Sequence, residues 1–378
     1  MPGSPPPERP VVSIPARLLP SDGRFASGPS KVRQEAVEAL AKAAPGFLGT
    51  SHRQEGVRSV VRRLREGLAE LFGLPEGYEV VLGLGGATVF WDVAAFGLIE
   101  HRSQHLSFGE FSSRFAACTE AAPHLADPVV VESPAGTHPP LEPASGVDAY
   151  ALTHCETSTG VAMEIARPPA EGLVLVDATS AAGGLRVDAR QFDAYYFSPQ
   201  KCFASDGGLW VALLSPAAVE RARRIAGSGR PIPPSLDLCT AMDNSAKDQT
   251  YNTPALTTLF LFDQQLQWML ANGGLEWSAR RCDRSAEILY GWAERSAYAR
   301  PFVADPSQRS HVVGTVDFDE PVDAALLART LRQNGILDTE PYRKLGRNQL
   351  RVAMYTSIEP DDVAALCACI DYVVESLW

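Results

Sequence analysis

The chain has 378 residues, of which 45% are hydrophobic and 21% are charged, and its formal net charge is −11. These values exclude a largely disordered or collagen-like chain, and the length favours a large α/β domain with a smaller domain attached. The negative charge argues against nucleic acid as the main partner, because duplex binding depends on clustered cations that contact phosphates.

The N-terminus and the cysteines indicate a cytoplasmic protein. The first residues, MPGSPPPERP, are proline-rich and lack the apolar core of a signal peptide. No stretch reaches the roughly 18 apolar residues that a membrane span needs. The seven cysteines match neither an even disulfide framework nor paired CxxC zinc motifs, so we expect reduced thiols and no metal site. We expect a flexible arm over residues 1–21.

The first part of the chain predicts two helices, and the spacing of its apolar residues then changes to that of a strand. The stretch KVRQEAVEALAKA has the apolar spacing of an amphipathic helix opened by Pro29 and Ser30. A second helix is predicted for GVRSVVRRLREGLAELFGL, where valine and leucine recur at three- and four-residue intervals. From residue 78, YEVVLGLGGATVFWDVAAFGLIE is a β-branched run, a glycine-rich turn and a helical run, which indicates a strand-loop-helix unit.

Further units continue the alternation of strands and helices. They are HLSFGEFSSRFAACTEA, VDAYALTHCETSTGV, GLVLVDATSAAGG and DAYYFSPQKCFASDGGLWVALLS. Each contains an apolar strand that ends in polar or glycine residues. This pattern predicts a mostly parallel sheet covered by helices, with its ligand beyond the carboxyl ends of the strands.

The last hundred residues have a different pattern of predicted elements. They read as helix, strand, helix, strand and helix: LEWSARRCDRSAEILYGWAE, SHVVGTVDF, DAALLARTLRQNG, NQLRVAMY and DDVAALCACIDYVVESLW. We therefore expect a large domain over residues 22–274 and a small α+β domain over residues 275–378. N-terminal residues are expected to complete the small domain.

An aspartate and a lysine stand after neighbouring strands of the predicted sheet. Asp177 ends the run GLVLVD, and Lys201, one of five lysines against 29 arginines, follows 24 residues later. In a parallel sheet this spacing can place the carboxylate and the amine on opposite sides of one small ligand. A pyridoxal phosphate site needs this pair, with the lysine reacting with the aldehyde and the carboxylate holding a proton on the pyridine nitrogen. From these two residues alone, a structural ion pair remains the alternative.

The glycine-rich loop LGLGGAT lies between a predicted strand and a predicted helix. Its bare backbone and the hydroxyl of Thr88 can donate to a phosphate at the helix N-terminus. As a GxGxxG pattern it lacks the third glycine, and no acidic ribose partner follows at the expected distance. A nicotinamide site is therefore the poorer interpretation, and a cofactor phosphate fits better.

Nine motifs along the chain together carry a family resemblance. The motifs are GPSKVR, TSHR, GGAT, FGEFS, ETSTG, VDATSAAGG, YYFSPQKCFASDGGLW, YNTPA and EPYRKLGRNQLRVAMY. In this order they resemble the phosphoserine aminotransferases, in the actinobacterial branch of that class-V family, from about residue 22 to the C-terminus. The resemblance implies a fold type I enzyme with a seven-stranded, mostly parallel sheet and a smaller C-terminal α+β domain. It also implies a homodimer with shared active sites.

The resemblance also implies a role for each residue that contacts pyridoxal phosphate. It implies that Lys201 bonds to the cofactor, that Asp177 faces the pyridine nitrogen, and that Phe111 stacks on the ring. The other implied contacts are Thr157 at the phenolic oxygen and Ala87, Thr88 and Gln200 at the phosphate, with Asn252 and Thr253 reaching the phosphate from the neighbouring subunit. Taken alone, Phe111 fits a core position, Thr157 a loop hydrogen bond and Asn252 a helix start.

Two anion-binding groups are implied for the substrates, 3-phosphohydroxypyruvate and glutamate. Arginine suits both because its planar fork binds carboxylates and phosphates bidentately. Arg351 matches the family's α-carboxylate arginine, and His52 and Arg53 match the site for the phosphate or distal carboxylate. Many relatives complete this site with an adjacent His-Arg pair that is replaced here, so Arg343 is the first candidate for that position and Lys344 the second.

The predicted reaction is ping-pong transamination in serine biosynthesis, which converts glutamate and 3-phosphohydroxypyruvate into 2-oxoglutarate and O-phosphoserine. Proton transfer by Lys201 is worth on the order of 10² to 10⁴ in rate. The alternative is another class-V enzyme such as an alanine-glyoxylate type aminotransferase, although a small uncharged side chain needs only one anion-binding group. A cysteine desulfurase would need Cys239 as its catalytic thiol. A binding protein on this fold would be expected to have lost Lys201 or Asp177.

Overall fold

A computed structural model describes residues 12–378 of the chain. Its helices are α1 (Gln34–Phe47), α2 (Glu55–Leu71), α3 (Ala87–Gly97), α4 (Glu110–Glu120), α5 (Pro216–Ala226), α6 (Leu238–Ser245), α7 (Leu256–Ala271), α8 (Gly274–Arg295), α9 (Ala324–Gln333) and α10 (Pro360–Leu377). Its strands are β1 (Glu79–Leu84), β2 (Ser103–Ser107), β3 (Val129–Glu132), β4 (Ala149–Thr153), β5 (Cys155–Glu156), β6 (Val161–Ala162), β7 (Leu173–Asp177), β8 (Ala194–Phe197), β9 (Leu209–Leu214), β10 (Ala299–Pro301), β11 (Val313–Phe318) and β12 (Gln349–Ala353). Short 3-10 helices lie at Ala16–Leu18, Ala189–Gln191, Pro306–Gln308 and Arg343–Leu345.

A seven-stranded sheet in the order β1-β9-β8-β7-β4-β2-β3 forms the larger unit. Only β9 runs antiparallel to its neighbours β1 and β8, so the predicted seven-stranded, mostly parallel sheet is confirmed. Strands β4, β7 and β8 are parallel neighbours, and Asp177 at the end of β7 is paired with Thr153 and Tyr196. Their carboxyl ends therefore meet at one edge of the sheet, which is where such sheets bind ligands.

Helices cover both faces of this sheet. The side chains of β7 alternate, so that Val174 and Val176 join a core with α2 and α7, while Leu173 and Leu175 join a core with α3, α4 and α5. Every residue of β7 is buried. This explains its continuous apolar sequence, because a strand covered on both faces needs apolar side chains in both directions.

A smaller unit follows the large sheet. Its three-stranded antiparallel sheet has the order β10-β11-β12 and packs with α8, α9 and α10 around a second core. The predicted α+β character of the C-terminal part is confirmed. Strand β10, of three residues, was not expected, because so short a stretch carries no periodic pattern.

The N-terminal segment belongs to this second core. The sequence predicts a flexible arm over residues 1–21, of which residues 1–11 lie outside the described part. From Val12 onward the segment packs: Val12 and Ile14 are 8% and 5% exposed. Asn334, directly after α9, accepts a hydrogen bond from the Ile14 N–H at 2.9 Å and donates one to the Val12 carbonyl at 2.9 Å. The structure thus differs from the expected arm here, because two apolar side chains and an asparagine order the segment.

Helix α1 also starts later than predicted. The expected start was at Pro29 and Ser30, but the backbone of Arg33 is still extended, with ψ 140°, and the helix begins at Gln34. The Arg33 guanidinium instead donates to Gln265 on α7 at 2.9 Å. The extended residues before α1 lie beside the edge of the sheet where the strands end, and Ser27 among them contacts Lys201.

Replacing Ile14 by alanine tests the packing of the N-terminal segment. We expect Ile14→Ala to lower the free energy of unfolding by about 2 kcal/mol, the low end for deleting a buried aliphatic side chain. Urea denaturation would measure the change. Val130→Ala, at a side chain that is 41% exposed on the edge strand β3, is the control and should change the stability by less than about 0.5 kcal/mol. Equal effects of the two substitutions would contradict the packing of residue 14.

Candidate active site

A cavity of about 210 Å³ opens at the carboxyl edge of the large sheet. It is enclosed by the ends of β4 and β7, the loop after β8, and the N-terminal turns of α3 and α4. Seven of the residues predicted from the sequence line it: Ala87, Thr88, Phe111, Thr157, Asp177, Gln200 and Lys201. The structure thus brings together one set of predicted residues that are scattered over more than a hundred positions of the chain.

Lys201 lies in the turn after β8 and is 9% exposed. Its Nζ donates to the carbonyl oxygen of Ser27, which also accepts from the Tyr355 hydroxyl at 2.8 Å. Burial, with a smaller effect from the positive charge of Arg351, lowers the pKa of Lys201 to about 8. The amine is therefore partly neutral near physiological pH, as a nucleophilic amine must be. Gly28 leaves room for it, since a Cβ there would lie 2.2 Å from Nζ.

Asp177 ends β7 and is held by three hydrogen bonds. Its Oδ1 accepts from the backbone N–H of Thr179 at 3.0 Å and from its hydroxyl at 2.6 Å, and its Oδ2 accepts from Trp91 Nε1 at 2.9 Å. Burial raises the pKa of Asp177, and the hydrogen bonds oppose that rise. Because Lys201 donates to Ser27 and both groups line one cavity, the two do not form the closed ion pair of the alternative interpretation.

The glycine-rich loop leads directly into α3 at the cavity. Gly85 and Gly86 have φ of 109° and 94°, values that favour glycine, and α3 begins at Ala87. The first N–H groups of a helix have no partner within it, so this end attracts an anion. On the opposite side of the loop, the Ser198 hydroxyl bonds to the side chain of Gln200, which also lines the cavity. The N-terminus of α3 is therefore suited to a phosphate.

Phe111 and Thr157 are linked by a buried carboxylate that the sequence did not single out. Glu156 is 0% exposed. It accepts hydrogen bonds from the backbone N–H groups of Phe111 and Ser112 at 3.1 and 2.9 Å, and from the hydroxyls of Ser112 and Ser158 at 3.0 and 2.7 Å. These bonds fasten the first turn of α4, which carries Phe111, to the loop that carries Thr157.

Arg351, on β12 of the smaller unit, does not line the cavity itself but contacts Thr157, which does. Its guanidinium donates to the Thr157 carbonyl at 3.1 Å and lies 5.4 Å from the ring centroid of Tyr342. Its Nε is buried and has no hydrogen-bond partner among the described residues, and burial lowers the pKa of Arg351. A partly buried guanidinium with an unused N–H is a suitable place for a carboxylate ligand.

The other predicted residues lie outside this cavity. His52, Arg53, Asn252 and Thr253 do not line it. His52 Nδ1 instead lies 3.2 Å from the Thr253 hydroxyl, and its Nε2 is buried without a partner among the described residues. Arg53, Asn252 and Thr253 are exposed. These four residues, which we call the surface cluster, form a separate polar group on the same chain.

The basic residues near the end of the chain have different partners. Lys344 bonds to the carboxylate of Glu110, while Arg347 pairs with Asp317. Arg343 is exposed and has no polar partner within residues 12–378. Of these three cations, Arg343 alone is therefore available for an additional anion without breaking an ion pair.

Trp91 lines the cavity, and the sequence reasoning did not single it out. It lies within the run ATVFWDVAAFG of α3, where an aromatic residue is read as part of the core. It is 3% exposed, and its indole N–H is directed at Asp177. The signal that could have found it is its spacing, because Trp91 is one helical turn after Ala87 and so faces the same side of the helix.

Comparisons with known proteins agree with this geometry. The model of the family described as aminotransferase class-V matches residues 25–339. Over 371 residues the chain is 60% identical to a phosphoserine aminotransferase of Nocardioides sp.. The matched region covers 97% of this chain and 99% of that relative. The chain belongs to the phosphoserine aminotransferase family of class-V aminotransferases. The predicted family, its actinobacterial branch and the aminotransferase class of enzyme are confirmed, in preference to the alanine-glyoxylate type.

Solved structures of such enzymes have the same fold. A phosphoserine aminotransferase from Cytophaga hutchinsonii superimposes with a TM-score of 0.84 at 22% identity, covering 93% of this chain and 99% of the other. A PLP-bound phosphoserine aminotransferase from Trichomonas vaginalis gives a TM-score of 0.77 at 18% identity, with 93% and 99% covered. The predicted fold type I architecture is confirmed. Among the described residues, no helix is both long and apolar enough to cross a membrane.

The lowered pKa of Lys201 predicts a pH dependence in the cofactor-free protein. Only the neutral amine reacts with acetic anhydride, so acetylation of Lys201 should rise as the pH increases through about 8 and level off above it. Peptide mass spectrometry after brief exposure would measure this. Arg351→Met removes a positive charge that disfavours the protonated amine, so it should move the midpoint to higher pH. Arg343→Met is the control, and an equal movement of the midpoint there would contradict the role of residue 351.

Proposed function

We propose that the protein is a phosphoserine aminotransferase that uses pyridoxal phosphate to transfer the amino group of glutamate to 3-phosphohydroxypyruvate. The products are 2-oxoglutarate and O-phosphoserine, as in serine biosynthesis. The observation that carries this proposal is that Lys201 and Asp177 line one buried cavity without bonding to each other. The family membership and the PLP-bound relative of the same fold support it.

The residues around the cavity fit each part of this cofactor. The N-terminus of α3 supplies N–H donors for the phosphate, and the Asp177 carboxylate supplies an acceptor for a protonated ring nitrogen. Phe111 lies at the cavity wall for stacking, and the Thr157 hydroxyl, which contacts Ser180, lies near it for the phenolic oxygen. When bound, pyridoxal phosphate supplies an electron sink that stabilises negative charge at the substrate α-carbon.

Lys201 then has two tasks. Its neutral amine would hold the cofactor through the aldehyde carbon, and its Nζ would accept the proton that leaves the substrate α-carbon. A pKa of about 8 places the amine where it both accepts and returns a proton near neutral pH. Asp177 would hold a proton on the ring nitrogen of the bound cofactor.

Two separate cations would bind the two anionic ends of each substrate. Arg351, which has an unused N–H and a guanidinium beside the Thr157 carbonyl, is suited to the α-carboxylate. Arg343 is our choice for the phosphate of the acceptor and the distal carboxylate of glutamate, because Lys344 and Arg347 already pair with Glu110 and Asp317.

A homodimer would give the surface cluster a function. His52, Arg53, Asn252 and Thr253 lie together outside their own chain's cavity, and three of them are exposed. In a twofold dimer such a cluster would reach the cavity of the neighbouring subunit, with Asn252 and Thr253 at the cofactor phosphate and His52 and Arg53 at the substrate anion.

The compartment proposed for the enzyme is the cytoplasm. All seven cysteines lie in the described part of the chain and are free thiols. Five of them are buried, so they act as small apolar side chains. Reduced thiols agree with a reducing compartment.

Absorption spectroscopy tests the two half-reactions. Glutamate alone should deplete the long-wavelength band of the bound cofactor, and 3-phosphohydroxypyruvate should then restore it, because each step transfers one amino group. Lys201→Ala should abolish turnover. If alanine depletes the band and glutamate leaves it unchanged, the proposed donor is wrong and the alanine-glyoxylate type of activity is favoured.

Paired substitutions test the second anion-binding residue. Arg343→Ala should raise the KM for 3-phosphohydroxypyruvate by about tenfold or more, since a hydrogen bond to a charged group is worth about 1.5–3 kcal/mol. Lys344→Ala should leave that KM nearly unchanged because Lys344 is held by Glu110. Steady-state kinetics would measure both. The opposite ranking would assign the phosphate to Lys344.

A further inference from the structure

We propose that Trp91 is a positioning residue for Asp177, and that its indole N–H orients the Asp177 carboxylate and stabilises its ionised form against the ring nitrogen of the cofactor. This inference rests on the proposed function, since it concerns the ring that the cavity would hold. It concerns a residue to which neither the sequence motifs nor the family resemblance gave a role.

The hydrogen bonds to Asp177 come from two different parts of the fold. Both donors to Oδ1 belong to Thr179, two residues further along the same loop. The donor to Oδ2, at 2.9 Å, is Trp91 on α3, which is 86 residues away in the sequence. Thr179 therefore belongs to the same loop as Asp177, whereas Trp91 ties the other oxygen, and so the plane of the carboxylate, to helix α3.

Helix α3 connects this carboxylate to the other end of the cavity. Ala87 is the first residue of α3, at the end suited to a phosphate, and Trp91 follows four residues later. One turn of an α-helix rises about 5.4 Å, so the two positions lie on one face at neighbouring levels. A single rigid turn thus relates the phosphate-binding end to Asp177, and the distance between the two contacts does not depend on a loop.

The indole itself has little freedom. Trp91 is 3% exposed. Its ring stacks on Phe115, with centroids 6.1 Å apart and planes inclined by 17°, and the Arg114 guanidinium lies 5.3 Å from its centroid. A buried indole N–H needs an acceptor, and here the acceptor is the carboxylate. A phenyl ring would retain part of this packing, but it could not make the hydrogen bond.

The bond acts on the charge of Asp177. Burial favours the neutral carboxyl and raises its pKa, whereas the Trp91 bond favours the carboxylate. In a low-dielectric site a charge-assisted hydrogen bond is stronger than in water. When a proton is shared between Asp177 and a ring nitrogen, a donor on the carboxylate moves the proton toward the ring. Losing that donor moves the proton toward Asp177 and weakens the ring as an electron sink.

The test compares two Trp→Phe substitutions in one core. Trp91→Phe removes the N–H. Trp210→Phe is the matched control, because Trp210 on β9 is 2% exposed and packs on Phe90 of α3, the helix that carries Trp91. Each variant is loaded with pyridoxal phosphate labelled with ¹⁵N in the ring. We expect the ¹⁵N resonance of Trp91→Phe to shift toward that of unprotonated pyridine, while that of Trp210→Phe stays at the wild-type position. We also expect kcat to fall by about tenfold or more in Trp91→Phe, the effect of one hydrogen bond to a charged group, with KM for glutamate unchanged.

A second replacement separates the hydrogen bond from packing. Benzothienylalanine at position 91, introduced by an expanded genetic code, keeps the bicyclic shape and replaces the N–H with sulfur. It should reproduce the ¹⁵N shift of Trp91→Phe even if that variant folds poorly. A wild-type ¹⁵N position and wild-type kcat with benzothienylalanine would overturn the inference. A wild-type protein that binds no pyridoxal phosphate would overturn the proposed function instead, so the two failures are distinguishable.

Discussion

The site depends on two ionisable groups that are buried at one sheet edge and kept apart. The amine of Lys201 donates to the Ser27 carbonyl, and the carboxylate of Asp177 accepts from Thr179 and Trp91. Burial disfavours the charged form of both, lowering the pKa of the amine and raising that of the carboxyl. Two such groups in contact would neutralise each other as an ion pair. Their separation across a cavity is what leaves them able to act on a ligand.

The fold maintains that separation with rigid elements. Parallel strands β7 and β8 place the two residues at neighbouring strand ends. Helix α3 contributes both an N-terminus suited to a phosphate and the indole that contacts Asp177. A second carboxylate, Glu156, fastens the start of α4 to the loop of Thr157. The glycine at position 109 is part of this fastening, since a Cβ there would lie 2.3 Å from Glu156 Cγ. The smaller unit contributes Arg351, so substrate binding would involve both units.

The sequence predicted which ionisable residues lie together at the cavity better than it predicted the side chains that hold them in place. Lys201 and Asp177 were found because polar residues after apolar strands must converge at one edge of a parallel sheet, and the glycine-rich loop was found because its position before a helix is a local feature. Trp91 was missed because an aromatic residue in an apolar helix is indistinguishable from core until its acceptor is known. The same applies to Glu156, whose donors on α4 lie more than forty residues earlier. The choice between Arg343 and Lys344 likewise depends on Glu110, which is remote in the sequence.

The most direct test of the proposed site is a crystal structure of the protein with pyridoxal phosphate. We predict continuous electron density from Lys201 Nζ to the cofactor, a ring nitrogen about 3 Å from an Asp177 oxygen, and a phosphate at the N-terminus of α3. A cofactor bonded to another lysine, or a ring nitrogen directed away from Asp177, would contradict the proposed roles of both residues.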